Sequence, residues 1–319
     1  MRQLLFILGL VGCLAWVQAE DLCVVSYNVE NLFHPKHDTV AGIEKDDLEW
    51  TPEGERRWSY SRYYRKVENI ARVLTNIGEW DGVDIVGLQE VENALCVKRL
   101  CNTLRRGEYD FVHYESPDRR GIDVALLFRK ARVDTIATRA IRVSGLEELI
   151  TRDILYVCAL IDKRDTLHLL VCHLPSQRGG AAESEWKRAA AKKVLQAAVD
   201  SVLTLQPQAK IVVMGDMNSA PLEDLKGLTN RMRGLELSGL GAKGTHKYQG
   251  RWTCLDQFYT SLALDSVSRV RIYDAAWIQE TDEKYMDLRP KRTYNGFRYV
   301  NGYSDHLPII IDINLTNQP

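Results

Sequence analysis

Seven short apolar runs, rich in β-branched residues, recur along the chain: CVVSYNV at 23–29, VDIVGLQEV at 83–91, DVALLF at 123–128, ILYVCALI at 154–161, LHLLVCHL at 167–174, KIVVMGDM at 210–217 and PIIIDINL at 308–315. Runs of this length and composition read as strands buried on at least one face. Between them the period changes. Val67, Ile70, Leu74 and Ile77 share one face of a helix over 59–78, and Ala190, Val194, Ala197 and Ala198 share one face over 184–203. Strands alternating with helices predict an α/β fold. No Pro/Ser-rich linker, composition break or repeat divides the chain, so a single domain over 20–319 is expected. The polar segments 34–58, 176–185, 241–253 and 279–303 read as long loops, where α/β enzymes place much of their function.

Charge narrows the function. With 42 Lys+Arg against 43 Asp+Glu, the net charge of -1 provides no overall field for coating a polyanion, so any phosphate binding must be local. The 9 Pro and 21 Gly among 319 residues are too few for a disordered or collagenous chain.

The N-terminus, MRQLLFILGLVGCLAWVQA, has one cation at Arg2, an apolar run from Leu4 to Val17 and a small residue at Ala19. It has the shape of a signal peptide over 1–19 and falls short of the roughly 20 residues of a membrane span. Export to the periplasm or the extracellular space is expected, with a soluble, monomeric product and no stable membrane insertion. The rival is lipoprotein processing at Cys13 within LVGC. An oxidising compartment permits disulfides, and Cys96 and Cys101, flanking an apparent helical stretch, are the expected pair. Cys23, Cys158 and Cys172 sit in apolar runs and read as small buried hydrophobes. None of the cysteines has the paired CxxC spacing of a zinc site.

Several strands finish on a polar residue. Asn28 closes CVVSYN, Glu90 closes DIVGLQE, His173 closes LHLLVCH, Asp216 and Asn218 follow IVVMG, and Asp305-His306 precede LPIII. Strand ends are where α/β sheets carry their sites. A lone Asn or Asp in such a place is most often a turn-former, so the case rests on the set. The set suits attack of water on a phosphate ester. Glu90, Asn28 and Asp305 offer hard oxygen donors for Mg2+, with Mn2+ as the alternative. His306 would be the base, its ring held by Asp256 after RWTCL. In an extended chain, Asp216 and Asn218 would point to the same side.

The segments SYNVENLF, GLQEVEN, RGIDVALLFRK, VCHLPS, GDMNSAP, LDQFYTS and YSDHLPI, in this order from about 22 to 315, resemble the successive motifs of the endonuclease/exonuclease/phosphatase superfamily. SYNVENLF, RTYNG and NGYSDH resemble its exported members in Bacteroidetes-type bacteria. The resemblance implies a four-layer α-β-β-α sandwich with two mainly antiparallel sheets. It implies Glu90 as principal metal ligand beside Asn28, with Asp305 completing the shell. His306, paired with Asp256, would be base or transition-state stabiliser. Asp216 would activate water or protonate the leaving oxygen, Asn218 would orient it, and His173 would contact the scissile phosphate, as in the deoxyribonuclease branch.

Further positions are expected to bind substrate: Arg120 and Asp123 in RRGID, and Tyr294 and Asn295 in the 279–303 loop; Trp252, in the 241–253 loop, would also shape access. Arg119, Arg178 and Arg251 are further candidate cleft cations, interspersed with Glu115, Asp118 and Glu183. Arg56, Arg57, Arg62, Arg65 and Lys66 read as a solvated helix face, and His34, His37 and His246 as surface loop residues. The expected activity is that of an exported, divalent-metal-dependent phosphoesterase cleaving phosphodiesters, a nuclease of low sequence specificity. The alternatives are a phosphomonoesterase or phospholipase acting on inositol phosphates, sugar phosphates or phospholipid headgroups, and a catalytically silent binding module.

Overall fold

The structure, a computed structural model, describes residues 21–38, 45–105, 107–143, 149–177, 180–219, 231–239, 241–264 and 267–315. The expected signal peptide, Cys13 and Arg178 lie outside the described residues. In chain order the strands are β1 (Leu22–Leu32), β2 (Ile85–Val91), β3 (Tyr109–His113), β4 (Asp123–Arg129), β5 (Val133–Ile141), β6 (Ile154–Ile161), β7 (Asp165–His173) and β8 (Lys210–Asp216). There follow β9 (Met232–Gly234), β10 (His246–Tyr248), β11 (Arg251–Thr253), β12 (Asp256–Ser261), β13 (Val267–Ile272), β14 (Gln279–Asp282), β15 (Asp287–Pro290), β16 (Tyr294–Asn295), β17 (Arg298–Tyr299) and β18 (Ile309–Ile313). Among the described residues, three helices of more than one turn interrupt them: α1 (Tyr60–Gly78), α2 (Ala94–Leu104) and α3 (Ala181–Leu205).

Twelve of the strands form two six-stranded sheets, ordered β13-β18-β1-β2-β4-β3 and β5-β6-β7-β8-β12-β9. Each sheet is antiparallel except for one central pair, β1/β2 in the first and β7/β8 in the second. Parallel neighbours need a crossover, and a helix supplies each one, α1 between β1 and β2 and α3 between β7 and β8.

The alternation of side chains builds the layers. Leu167, Leu169 and Val171 of β7 and Val212 and Met214 of β8 turn toward the first sheet and join its core, which α1 and α2 cover from outside. Leu170, Cys172, Ile211 and Val213 turn the other way, against Ala191, Leu195, Val199 and Val202 of α3. The expected α-β-β-α sandwich is the observed one. Gly87 keeps the sheets close, since a Cβ there would stand 2.7 Å from Met214 Sδ.

The expected Cys96–Cys101 bridge is absent. All six cysteines among the described residues are free, and both of these lie buried on α2. Helix positions five apart are roughly 8–9 Å apart at Cα, on different faces, beyond the ~7 Å a disulfide spans. The segments 241–253 and 279–303 are not plain loops, for they hold the hairpins β10/β11, β14/β15 and β16/β17.

Candidate active site

The two parallel pairs end on the same side of the sandwich. In β7/β8 the last register pair is His173 opposite Asp216, both continuing the inward-facing series. Gly215 makes that approach possible: its φ is 142°, and a Cβ would lie 1.9 Å from the Cys172 carbonyl. In β1/β2, Asn28 pairs with Gln89, and the register then slips, leaving Glu90 on a bulge at φ 64°. A bulge re-aims a side chain, here toward the other sheet. Asn28 Nδ2 donates to Asp216 Oδ2 at 3.1 Å, and His173 Nε2 stands 3.9 Å from Glu90 Oε1 and 3.6 Å from Asp216 Oδ2.

The loop before β18 closes the cluster. His306 Nδ1 and Asp256 Oδ2 are 2.7 Å apart, which leaves Nε2 facing Asp216 Oδ2 at 3.9 Å. Ser304 holds this turn, its hydroxyl donating to the Asn28 carbonyl and accepting the His306 amide. Thr245 Oγ1 accepts the Asp256 amide, fixing the other partner. Asp305 sits beside them and accepts from Arg292 Nη2 at 2.9 Å.

Burial and mutual charge divide the titratable groups. Burial pushes Asp216 up to about 6 against the pull of His306. Burial opposes a charge on His306, but Asp256, Asp216 and Asp305 outweigh it and raise the imidazole well above its ordinary range. His173 is held well below that range by burial and by the charges of Arg152, Arg120 and His306. Asp305 is drawn down to about 2, its burial overcome by His306, Arg292, His246 and Lys66. One imidazolium and one neutral imidazole therefore face carboxylates of unequal basicity.

The structure thus brings together Asn28, Glu90, His173, Asp216, Asp256, Asp305 and His306, with Arg120 at the rim, where its Nη2 donates to Asn31 Oδ1 and lies 3.7 Å from Glu90 Oε1. Asn218 is adjacent but differs in detail. At φ 49° it leaves the extended chain, so its side chain turns to the Leu174 carbonyl while its backbone amide donates to Asp216 Oδ1.

Three expected substrate contacts stand elsewhere. Tyr294 is buried among Trp50, Trp58 and Tyr299, its hydroxyl donating to the Arg56 carbonyl. Asn295 is exposed on the β16/β17 hairpin. Asp123 accepts the Ser116 amide and faces His113. Trp252 instead donates its indole N–H to Asp287.

The expected solvated helix face is also not uniform: Lys66 is buried, its ammonium donating to Thr293 Oγ1 and the Tyr303 carbonyl with Glu30 at 3.7 Å. Arg56 stacks 4.5 Å over Trp50, and Arg62 donates to the Arg56 and Arg57 carbonyls. His246 is no surface residue, since its ring lies 4.7 Å from that of His306 and burial lowers it to about 4. Residues that sequence reasoning missed include Glu30, Arg152, Arg292 and Ser304. Glu30 and Ser304 stand within two positions of Asn28 and His306, whereas nothing in the local sequence singles out Arg152, which binds the carbonyls of His173 and Leu174.

The family model described as Endonuclease/Exonuclease/phosphatase family matches residues 23–315. The chain belongs to the endonuclease/exonuclease/phosphatase family. It is thereby a phosphoesterase of that family, whose members typically depend on a divalent metal. No curated protein matches the sequence. Among solved structures, truncated TDP2 from Caenorhabditis elegans is 18% identical, over 92% of this chain and 98% of that one, with TM-score 0.58. A mannosyl-6-phosphatase from Bacteroides thetaiotaomicron is 15% identical over 92% and 100%, with TM-score 0.60. An endonuclease/exonuclease/phosphatase from Bacteroides vulgatus is 13% identical over 92% and 99%, also with TM-score 0.60. At these identities the likeness is one of fold.

The donors present fit a hard divalent cation. Glu90 Oε2 accepts the Asn31 amide, while among the described residues Oε1 has only the long approaches of Arg120 and His173, at 3.7 and 3.9 Å. That carboxylate oxygen retains its acceptor capacity, with Asp305 and Asn28 as further oxygen donors.

Proposed function

We propose that this protein is an exported phosphodiesterase of small footprint that depends on a divalent cation, Mg2+ foremost, held by Glu90, Asn28 and Asp305. The observation that carries this reading is the convergence of the His306–Asp256 pair, His173 and Asp216 on one point at the strand ends. When bound, the cation would polarise a phosphoryl oxygen and neutralise developing charge. The remaining chemistry belongs to the chain. Asp216, its carboxyl raised by burial to about 6, accepts the proton of the attacking water as the water oxygen bonds to phosphorus. His306, protonated and steadied by Asp256, stabilises charge on the phosphoryl group and donates a proton to the departing ester oxygen as the P–O bond breaks. His173, neutral, orients the phosphate through Nε2, and Arg120 offers a cation at the rim. Nucleic acid, short or single-stranded, is the leading substrate class.

Glu90→Gln should abolish hydrolysis of bis(p-nitrophenyl) phosphate with an unchanged circular dichroism spectrum, and EDTA should silence the wild type. His306→Ala should lose on the order of a hundredfold or more in kcat. Full activity in EDTA sinks the reading. Export rests on residues 1–19 and predicts an N-terminus at Glu20 by mass spectrometry of the native protein; a lipidated Cys13 would replace it.

A further inference from the structure

His113, Glu115 and Asp123 belong to one short stretch of chain, with His113 ending β3, Asp123 opening β4 and Glu115 in the connection. One ligand atom from each lies within 4.8 Å of the other two. The arrangement follows from the hairpin. Residues 113 and 115 stand two apart, the spacing that returns a side chain to the same side of extended chain, and the antiparallel β3/β4 ladder carries Asp123 back beside His113.

A cluster of this kind is often no more than an ion-paired corner, but His113 argues otherwise. Its side chain is 2% exposed, and among the described residues its Nε2 makes no hydrogen bond while facing Asp123 Oδ2 at 3.5 Å. Leaving a buried polar atom without a partner forfeits its hydration with nothing in return, so such an atom calls for a reason. Two donors held about 2.0–2.1 Å from one ion at a tetrahedral angle stand roughly 3.3 Å apart, close to this spacing. Asp123 spends Oδ1 on the Ser116 amide, which orients the carboxylate and leaves Oδ2 for a ligand. Glu115 spends Oε2 on Lys45 and keeps its other oxygen.

We infer that His113, Glu115 and Asp123 form a second divalent-cation site, separate from the Glu90 centre and suited to a borderline ion such as Zn2+. One imidazole and two carboxylates select such an ion over Mg2+, which prefers oxygen alone. Water would complete the shell. The site's role is to fix the 114–122 connection. That connection carries Asp118, which accepts from Arg152 at 2.9 Å, and Arg120, which reaches Asn31 and Glu90. An ion at the base of the loop would thus set the position of the rim cation.

The test uses the whole chain carrying Glu90→Gln, stripped with EDTA, dialysed free of chelator and titrated with Zn2+ in a calorimeter. Co2+ serves as a spectroscopic probe. One Zn2+ is expected to bind and to raise Tm, and Co2+ should give the visible absorption of a four- or five-coordinate ion. Adding His113→Gln should weaken Zn2+ binding on the order of tenfold or more and abolish that absorption. Equal Zn2+ affinity with and without His113→Gln overturns the site, as does no Zn2+ binding in the parent. Should His113→Gln fail to fold, Glu115→Gln, in the partly exposed connection, carries the test, and unchanged affinity there overturns the site as well.

Discussion

A hydrogen atom is all that position 215 can carry. At φ 142°, with the Cys172 carbonyl 1.9 Å from where a Cβ would lie, Gly215→Ala adds backbone strain and a clash to the one strand pair that brings His173 against Asp216. The two penalties together are expected to cost about 3 kcal/mol or more in urea unfolding, and an alanine variant of wild-type stability would show that the strands do not approach as described. His168, on the opposite face of β7, makes a pH prediction. Burial lowers it below its ordinary 6.5, in contact with Tyr156 and Gln206. The unfolded chain therefore binds the proton first, so its contribution to stability is present above pH 6.5 and lost as pH falls through the lower folded value. His168→Gln should flatten the decline of Tm on acidification below 6.5; an unaltered slope refutes it. The polar ends of apolar runs made the residues of the candidate site legible in the sequence: Asn28, Glu90, His173, Asp216 and His306 each end or adjoin such a run. Asn218 and Tyr294 escaped because their side-chain directions depend on a left-handed φ and on an aromatic cluster assembled from 50, 58 and 294.

Helix α1 is joined to the loop before β18 by a charge that periodicity cannot reveal. Lys66, on the buried side of α1, places its ammonium among Thr293, the Tyr303 carbonyl and Glu30, whose carboxylate also takes Arg292 and the Thr293 amide. Lys66→Met removes one partner from a buried carboxylate and should cost about 3–5 kcal/mol in denaturant unfolding. A loss under about 1 kcal/mol would mean that Arg292 and the Thr293 amide together satisfy Glu30. The same contrast explains which elements were legible. Central strands such as β7 and β8 are buried on both faces and read as continuous apolar runs. The edge strand β5, VDTIATRAI, is largely exposed and carries little pattern. The hairpins between β10 and β17 are two to four residues per strand, held by their partners rather than by any run of their own.

For the molecule as a whole, the distribution of charge limits what it can hold. The net charge is -1, and the cations nearest the site are already engaged, Arg120 with Glu90 and Asn31, Arg292 with Asp305 and Glu30, and Lys66 with Glu30. Each phosphate that a protein neutralises releases counterions, and proteins gripping 6–10 phosphates lose roughly 10³–10⁵ in affinity between about 50 and 200 mM salt. A site with only one or two rim arginines to offer should instead contact about one or two phosphates, for which the same relation gives a loss of no more than about tenfold over that range. The KM for a short single-stranded oligonucleotide should therefore rise by less than about tenfold between those salt concentrations, the KM for bis(p-nitrophenyl) phosphate should barely move, and plasmid nicking should be slow, with little sequence preference. A panel of plasmid, oligonucleotide, inositol phosphates, sphingomyelin and simple mono- and diesters, run beside Glu90→Gln, separates the possibilities. A thousandfold salt effect on nucleic acid would reveal an extended duplex-binding surface and refute the small footprint. Hydrolysis confined to monoesters would remove the diesterase reading and leave a phosphomonoesterase.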